Sequence, residues 1–128
     1  MLVVEDDGSQ REAIRGILDA RGCIVKEAGN GRLALEALAG GVPDIILLDL
    51  MMPEMDGFEV VAALQANPSW RNIPVVVVTA LDISAEDRQR LNRGVEHIVS
   101  KNASSPAELL ARIGALMGEI KSKARKDA

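Results

Sequence analysis

Four valines in succession, in the run Pro74-Val75-Val76-Val77-Val78-Thr79, constrain this chain more than any other feature. Such a run has no polar alternate positions, so it suits a strand covered on both faces. Shorter apolar runs recur around it, and each is followed by a stretch with helical spacing. Met1–Val4 stops at Glu5-Asp6-Asp7, and Ser9–Arg21 then places Ala13, Ile14, Ile17 and Leu18 on one stripe before Gly22. Cys23–Ala28 reads as a second strand, Gly29-Asn30-Gly31 as a turn, and Leu33, Leu35 and Leu38 as a helix closed by Gly40-Gly41. Ile45–Leu48 is a buried-strand run ending in Asp49, and a Pro/Gly-bearing loop leads through Gly57 to a helix over Phe58–Ala66, ended by Asn67-Pro68. After the valines come a polar helix over Ser84–Arg93, a fifth strand over Val95–Val99, and a last helix over Pro106–Ile120 with Leu109, Leu110, Ile113 and Leu116 inward. Strand–helix alternation of this kind specifies an α/β fold, a parallel sheet with helices on both faces.

The 128 residues suit one domain, and 48% hydrophobic with 27% charged residues is an ordinary globular balance. A single cysteine, Cys23, excludes an internal disulfide framework and a multi-cysteine zinc site, and fits a reducing cytoplasm. The net charge of −4 gives no electrostatic case for direct nucleic-acid binding. Phe58 and Trp70 are the only aromatic residues, too few for base-stacking platforms. No apolar run approaches the roughly 18 residues of a membrane span, and the start lacks a basic signal-peptide region.

In open α/β sheets, ligands bind beyond the carboxyl ends of the strands. The polar residues of this chain collect there. The first strand delivers Glu5, Asp6 and Asp7, the third Asp49, the fourth Thr79 and the fifth Lys101. Carboxylates crowded at one edge repel each other, and a hard divalent cation such as Mg²⁺ resolves that conflict. Asp49 is a competent oxygen nucleophile toward phosphorus, and a lysine and a threonine nearby could hold the oxygens of a transferred group. The chemistry that fits is phosphoryl transfer.

Leu2-Val3-Val4-Glu5-Asp6-Asp7, the segment Ile46-Leu47-Leu48-Asp49-Leu50-Met51-Met52-Pro53-Glu54-Met55-Asp56-Gly57, Val78-Thr79-Ala80 and Lys101 together resemble the receiver domain of two-component response regulators. The resemblance implies a doubly wound, flavodoxin-like sheet of five parallel strands in the order 2-1-3-4-5. It implies that Asp49 accepts a phosphoryl group from the phosphohistidine of a histidine kinase or a histidine phosphotransfer protein. Asp6 and Asp49 would bind Mg²⁺, with Glu5 acting through a water and Met51 offering its backbone carbonyl. Thr79 would hydrogen-bond the phosphoryl group and Lys101 would pair with it. Asp7 falls on a variable position and is expected to be loop or helix-cap material. Such a domain catalyses only its own Mg²⁺-dependent phosphorylation and dephosphorylation, and biases a surface around the fourth helix and fifth strand toward a downstream protein. Residues 1–119 would form the receiver and 120–128, with Lys121, Lys123, Arg125 and Lys126, a basic helix end or linker. Met1 falls almost on the first strand, where receivers usually carry a short lead-in, so a longer parent protein or a start placed late is expected.

Two positions depart from the receiver pattern. Asn102 follows Lys101 where receivers usually have a cis proline, and a trans bond is expected because a non-proline cis bond costs about 2.5–4 kcal/mol. Ile98 stands where a switching Tyr or Phe is usual, so packing is the expected role. In both respects, and in Gly94-Val95 and Glu108-Leu109-Leu110, the C-terminal part is similar to receivers of hybrid histidine kinases. A degenerate receiver acting as a phosphorylation-independent adaptor is the alternative reading. A haloacid-dehalogenase-type phosphatase needs an acid two residues after its nucleophile, where Met51 stands, and no G-x-G-x-x-G follows the first strand. His97 is expected within the fifth strand, Cys23 as a buried inert thiol opening the second, Met51, Met52 and Met55 as loop residues, and Trp70 as a packing anchor.

Overall fold

The computed structural model describes residues 1–80, 83–91, 95, 97–101 and 105–127. Five parallel strands, β1 (Leu2–Val4), β2 (Lys26–Ala28), β3 (Ile46–Leu48), β4 (Val75–Thr79) and β5 (His97–Ser100), form one sheet in the order β2-β1-β3-β4-β5. Between and after them run α1 (Gly8–Ala20), α2 (Gly31–Gly40), α3 (Gly57–Ala66), α4 (Ala85–Leu91) and α5 (Pro106–Asp127). This is the doubly wound order expected, and the winding reverses between β1 and β3.

Period-two alternation divides the core. Leu2, Val4, Ile46, Leu48, Val75 and Val77 face one way and pack with Leu38 of α2, Val60 and Leu64 of α3, and Leu91 of α4. Val3, Leu47, Val76, Val78 and Val99 face the other way and meet Ile14 and Leu18 of α1 and Ile113 of α5. The four valines are each buried, which is why no polar residue interrupts them.

Each helix starts on a polar cap. Asp7 accepts from the backbone N–H groups of Ser9 and Gln10, Asn30 from Leu33 and Asp56 from Glu59. The hydroxyls of Ser84 and Ser105 accept from Asp87 and Glu108. In a parallel sheet these caps, and the positive ends of the helix dipoles, lie along the edge where the strands end.

Most element boundaries shift by a residue or so from expectation, and a few shift further. β2 begins at Lys26, not Cys23, because the N–H of Cys23 is spent closing α1. It donates to Leu18 C=O at 3.0 Å while Gly22, at φ +79°, donates to Asp19 C=O at 3.0 Å, a Schellman ending. Cys23 is consequently half-buried against Leu18's core, not a fully buried strand residue. α5 runs past Ile120 to Asp127 without a break. α4 is described as far as Leu91, and residues 92–94 of the expected Ser84–Arg93 helix lie outside the described residues. β5 is shifted to His97–Ser100.

Candidate functional site

Register brings the acids together. Val4 lies beside Leu48 in the β1–β3 ladder, so the next residue on each strand, Glu5 and Asp49, leave the sheet side by side. The ladder continues one step beyond the strands, with Asp49 N–H donating to Val4 C=O and Glu5 N–H to Ala28 C=O, both at 3.0 Å. One carboxylate oxygen from each of Glu5, Asp6 and Asp49 lies within 4.8 Å of the others. Glu5 and Asp49 are buried, at 3% and 5% exposure, while Asp6 faces solvent.

Lys101 arrives from the far side of the sheet. Its backbone N–H donates to the Thr79 carbonyl at 2.8 Å, one step past the pairing of Thr79 with Ser100. Its ammonium donates to Glu5 Oε2 at 2.8 Å and to Asp49 Oδ2 at 3.1 Å. Thr79 itself is fully buried at the end of β4. The structure thus brings Glu5, Asp6, Asp49 and Lys101 into one cluster and sets Thr79 beside it through the Lys101 backbone.

The electrostatics follow from burial of two like charges, Glu5 and Asp49, against one cation. Burial pushes the Glu5 carboxyl up from 4.5 to about 7; the Lys101 hydrogen bond opposes this and the charge of Asp49 adds to it. Burial alone would pull Lys101 down. The hydrogen bond to Glu5 and the charges of Asp49 and Glu5 outweigh it, so the ammonium is held more firmly than an exposed lysine's. An excess of hard carboxylate oxygens around one shared ammonium is a donor set that fits Mg²⁺.

Asp7 is a helix cap, as expected: its side chain closes α1, and its N–H donates to Glu5 Oε1 at 3.3 Å. Met51 N–H donates to Asp49 Oδ1 at 3.2 Å, holding the Asp49 side chain from the loop that follows it. That loop is tightly seated. A methyl group at Gly57 would lie 2.5 Å from the Asp49 carbonyl oxygen, and one at Gly31 would lie 2.5 Å from that of Met55. Glu54, at φ 65°, is the one non-glycine residue with positive φ among the described residues, and its carboxylate accepts from Asn30 and Arg32 at the start of α2.

Sequence reasoning passed over Arg11 and Glu27. Arg11 donates to the Glu5 carbonyl at 2.7 Å and to Glu27 Oε1 at 3.1 Å. The available signal was the pairing of Arg11 and Arg15, four apart on a helix just after an acidic triplet. Of the other residues singled out, His97 is exposed at the start of β5. Ile98, Trp70, Met52 and Met55 are half-buried against the α2–α3–α4 face of the core, while Met51 is exposed. Asn102 and the bond before it lie outside the described residues.

The sequence matches the response regulator receiver domain over residues 1–114, and the chain belongs to that family, the receivers of two-component systems. It is 38% identical over 117 residues to the response regulator MprA of Mycolicibacterium vanbaalenii, covering 91% of this chain and 49% of that protein. The chain therefore spans about half the length of the curated relatives of this kind that it matches. Its fold is similar to the signal receiver domain of a signal transduction histidine kinase from Syntrophus aciditrophicus, with TM-score 0.81, 31% identity, and coverage of 95% of this chain and 89% of that one. It is also similar to the Mn²⁺-bound form of the response regulator Rcp1, with TM-score 0.75, 26% identity, and coverage of 90% and 88%. Among the described residues no helix is long and apolar enough to cross a membrane.

Proposed function

We propose that this receiver accepts a phosphoryl group on Asp49 from a phosphohistidine of a histidine kinase or histidine phosphotransfer protein, with Mg²⁺ as its cofactor, and that acceptance alters a partner-binding surface. The observation that carries this reading is the convergence of Glu5, Asp6 and Asp49 oxygens within 4.8 Å under the bridging ammonium of Lys101. The similar protein Rcp1 has a Mn²⁺-bound form, which supports a divalent cation here.

Asp6 and Asp49 are the residues that would hold Mg²⁺, with Glu5 through a water and the Met51 carbonyl completing the protein's share. When bound, the cation supplies positive charge to offset the crowded carboxylates and the oxygens of the incoming group. The Asp49 carboxylate attacks phosphorus as the bond from phosphorus to the donor's imidazole nitrogen breaks, leaving an aspartyl phosphate and a histidine. Lys101 exchanges its contact with Asp49 Oδ2 for the transferred oxygens, a charge-assisted hydrogen bond. The Thr79 hydroxyl turns toward the same group and draws the end of β4 with it. The consequence reaches α4 and β5, where Ile98 packs against the core instead of a switching aromatic. A kinase-fed domain of this kind works in the cytoplasm.

Beryllofluoride, a mimic of the acyl phosphate, tests this reading through ¹⁹F NMR. A bound fluorine signal that requires Mg²⁺ and is absent in Asp49→Asn is expected. No bound signal with Mg²⁺ present would overturn the acceptor assignment.

A further inference from the structure

Glu5 leaves the sheet with its N–H satisfied by Ala28 and its carbonyl outside the ladder, because β1 ends at Val4 and the chain turns toward α1. A carbonyl at such a turn needs a donor from elsewhere. Arg11, in the first turns of α1, supplies it: Nη1 donates to the Glu5 oxygen at 2.7 Å, shorter than an ordinary neutral N–H···O contact. The guanidinium is braced from behind. Its Nε donates to Glu27 Oε1 at 3.1 Å, and the other oxygen of Glu27 accepts from Arg15 at 2.6 Å. Gly29 and Gly8 flank the fork at ordinary contact distance. A methyl group at Gly29 would lie 3.6 Å from Nη1, and one at Gly8 would lie 3.9 Å from Nη2.

We propose that Arg11 is a positioning residue for the divalent cation: by holding the Glu5 carbonyl it fixes the Glu5–Asp6 peptide plane, and with it the way both carboxylates meet Asp49. This deepens the proposed function and rests on it. The physical case lies in the geometry Mg²⁺ demands. The ion tolerates little departure from an octahedron of oxygens, so a peptide plane free to rotate would disperse two of the three carboxylates that now lie within 4.8 Å. Residues that orient ligands from behind typically govern metal affinity by about 10–100-fold.

Charge alone makes the opposite demand. A guanidinium beside a cation site repels the cation, so if Arg11 acted only through its field, removing it would tighten binding. Lysine in its place would then change nothing. The two roles therefore differ in sign.

The test is Mn²⁺ binding to the full chain, read from the free-ion electron paramagnetic resonance signal, in wild type, Arg11→Lys and Arg11→Ala. Each protein's unfolding midpoint is measured alongside. Positioning gives about 10-fold weaker binding in Arg11→Lys, at fully folded protein, and at least as large a loss in Arg11→Ala. A purely structural arginine would lower the unfolding midpoint and leave the affinity of the folded protein unchanged, and a purely electrostatic one would tighten binding in Arg11→Ala. Either result overturns the proposal. Should Arg11→Ala not fold, Arg11→Lys alone decides between loss and no loss. Wild type that takes up no Mn²⁺ would instead overturn the acceptor reading on which this role depends.

Discussion

Replacing Glu5 with glutamine should abolish a pH dependence of stability that the metal-free protein otherwise carries. Burial raises Glu5 from 4.5 to about 7, so between those values the folded protein keeps a proton that the unfolded chain has released. For a carboxyl raised in this way, the stabilisation is complete below pH 4.5 and fades as pH rises through about 7. At about 1.4 kcal/mol per unit the span corresponds to about 3 kcal/mol, and Glu5 is too deeply buried for solvent screening to reduce it much. The assay is urea unfolding across this range without divalent cations, followed by Trp70, the only tryptophan and one packed against the core. Wild type should lose about 3 kcal/mol relative to Glu5→Gln as pH rises through the window. Mg²⁺ should reverse the trend, because a cation holds the carboxylate in its charged form and so stabilises the protein more above pH 7 than below 4.5. Parallel pH curves for the two proteins, or a wild type that gains on the variant as pH rises, would refute the reasoning.

Other substitutions probe the remaining supports. Lys101→Met leaves Glu5 and Asp49 buried without a counterion and should cost about 3–5 kcal/mol above pH 7 in chemical unfolding, with partial recovery in Mg²⁺. Gly57→Ala forces a methyl group against the Asp49 carbonyl and the Leu50 backbone and should cost about 1–3 kcal/mol in the same assay. It should also slow phosphorylation of Asp49 measured by stopped-flow fluorescence. Asp7→Ala removes a helix cap and should cost about 1 kcal/mol while leaving Mg²⁺ affinity, measured by isothermal titration calorimetry, unchanged.

What was legible in the sequence was whatever a residue's own letter announces. Val75–Val78 could only be a strand buried on both faces, and Asp7 was expected as loop or helix-cap material, whereas the caps at Asn30, Asp56, Ser84 and Ser105 emerged only in the structure. The acids stood out because each follows directly on an apolar run, and the end of a strand in a parallel sheet is a place as well as a position. The start of β2 was misread because Cys23-Ile24-Val25 looks extended in composition, whereas the N–H of Cys23 is committed to ending α1. The pairing of Lys101 with Glu5 spans 96 residues; their places at strand ends set both on one edge of the sheet, and their direct ion pair was not expected. Arg11 stayed hidden for a different reason. Its partner is a backbone carbonyl, which no letter of the sequence distinguishes from any other.

The central claim is that Asp49 is a Mg²⁺-dependent phosphoacceptor. Intact-mass spectrometry tests it most directly, with acetyl phosphate and a phosphorylated histidine phosphotransfer protein as donors and Asp49→Asn as the control. A gain of one phosphoryl group that requires Mg²⁺ and vanishes in Asp49→Asn is the expected result. No gain from either donor, or an equal gain in Asp49→Asn, would contradict the claim.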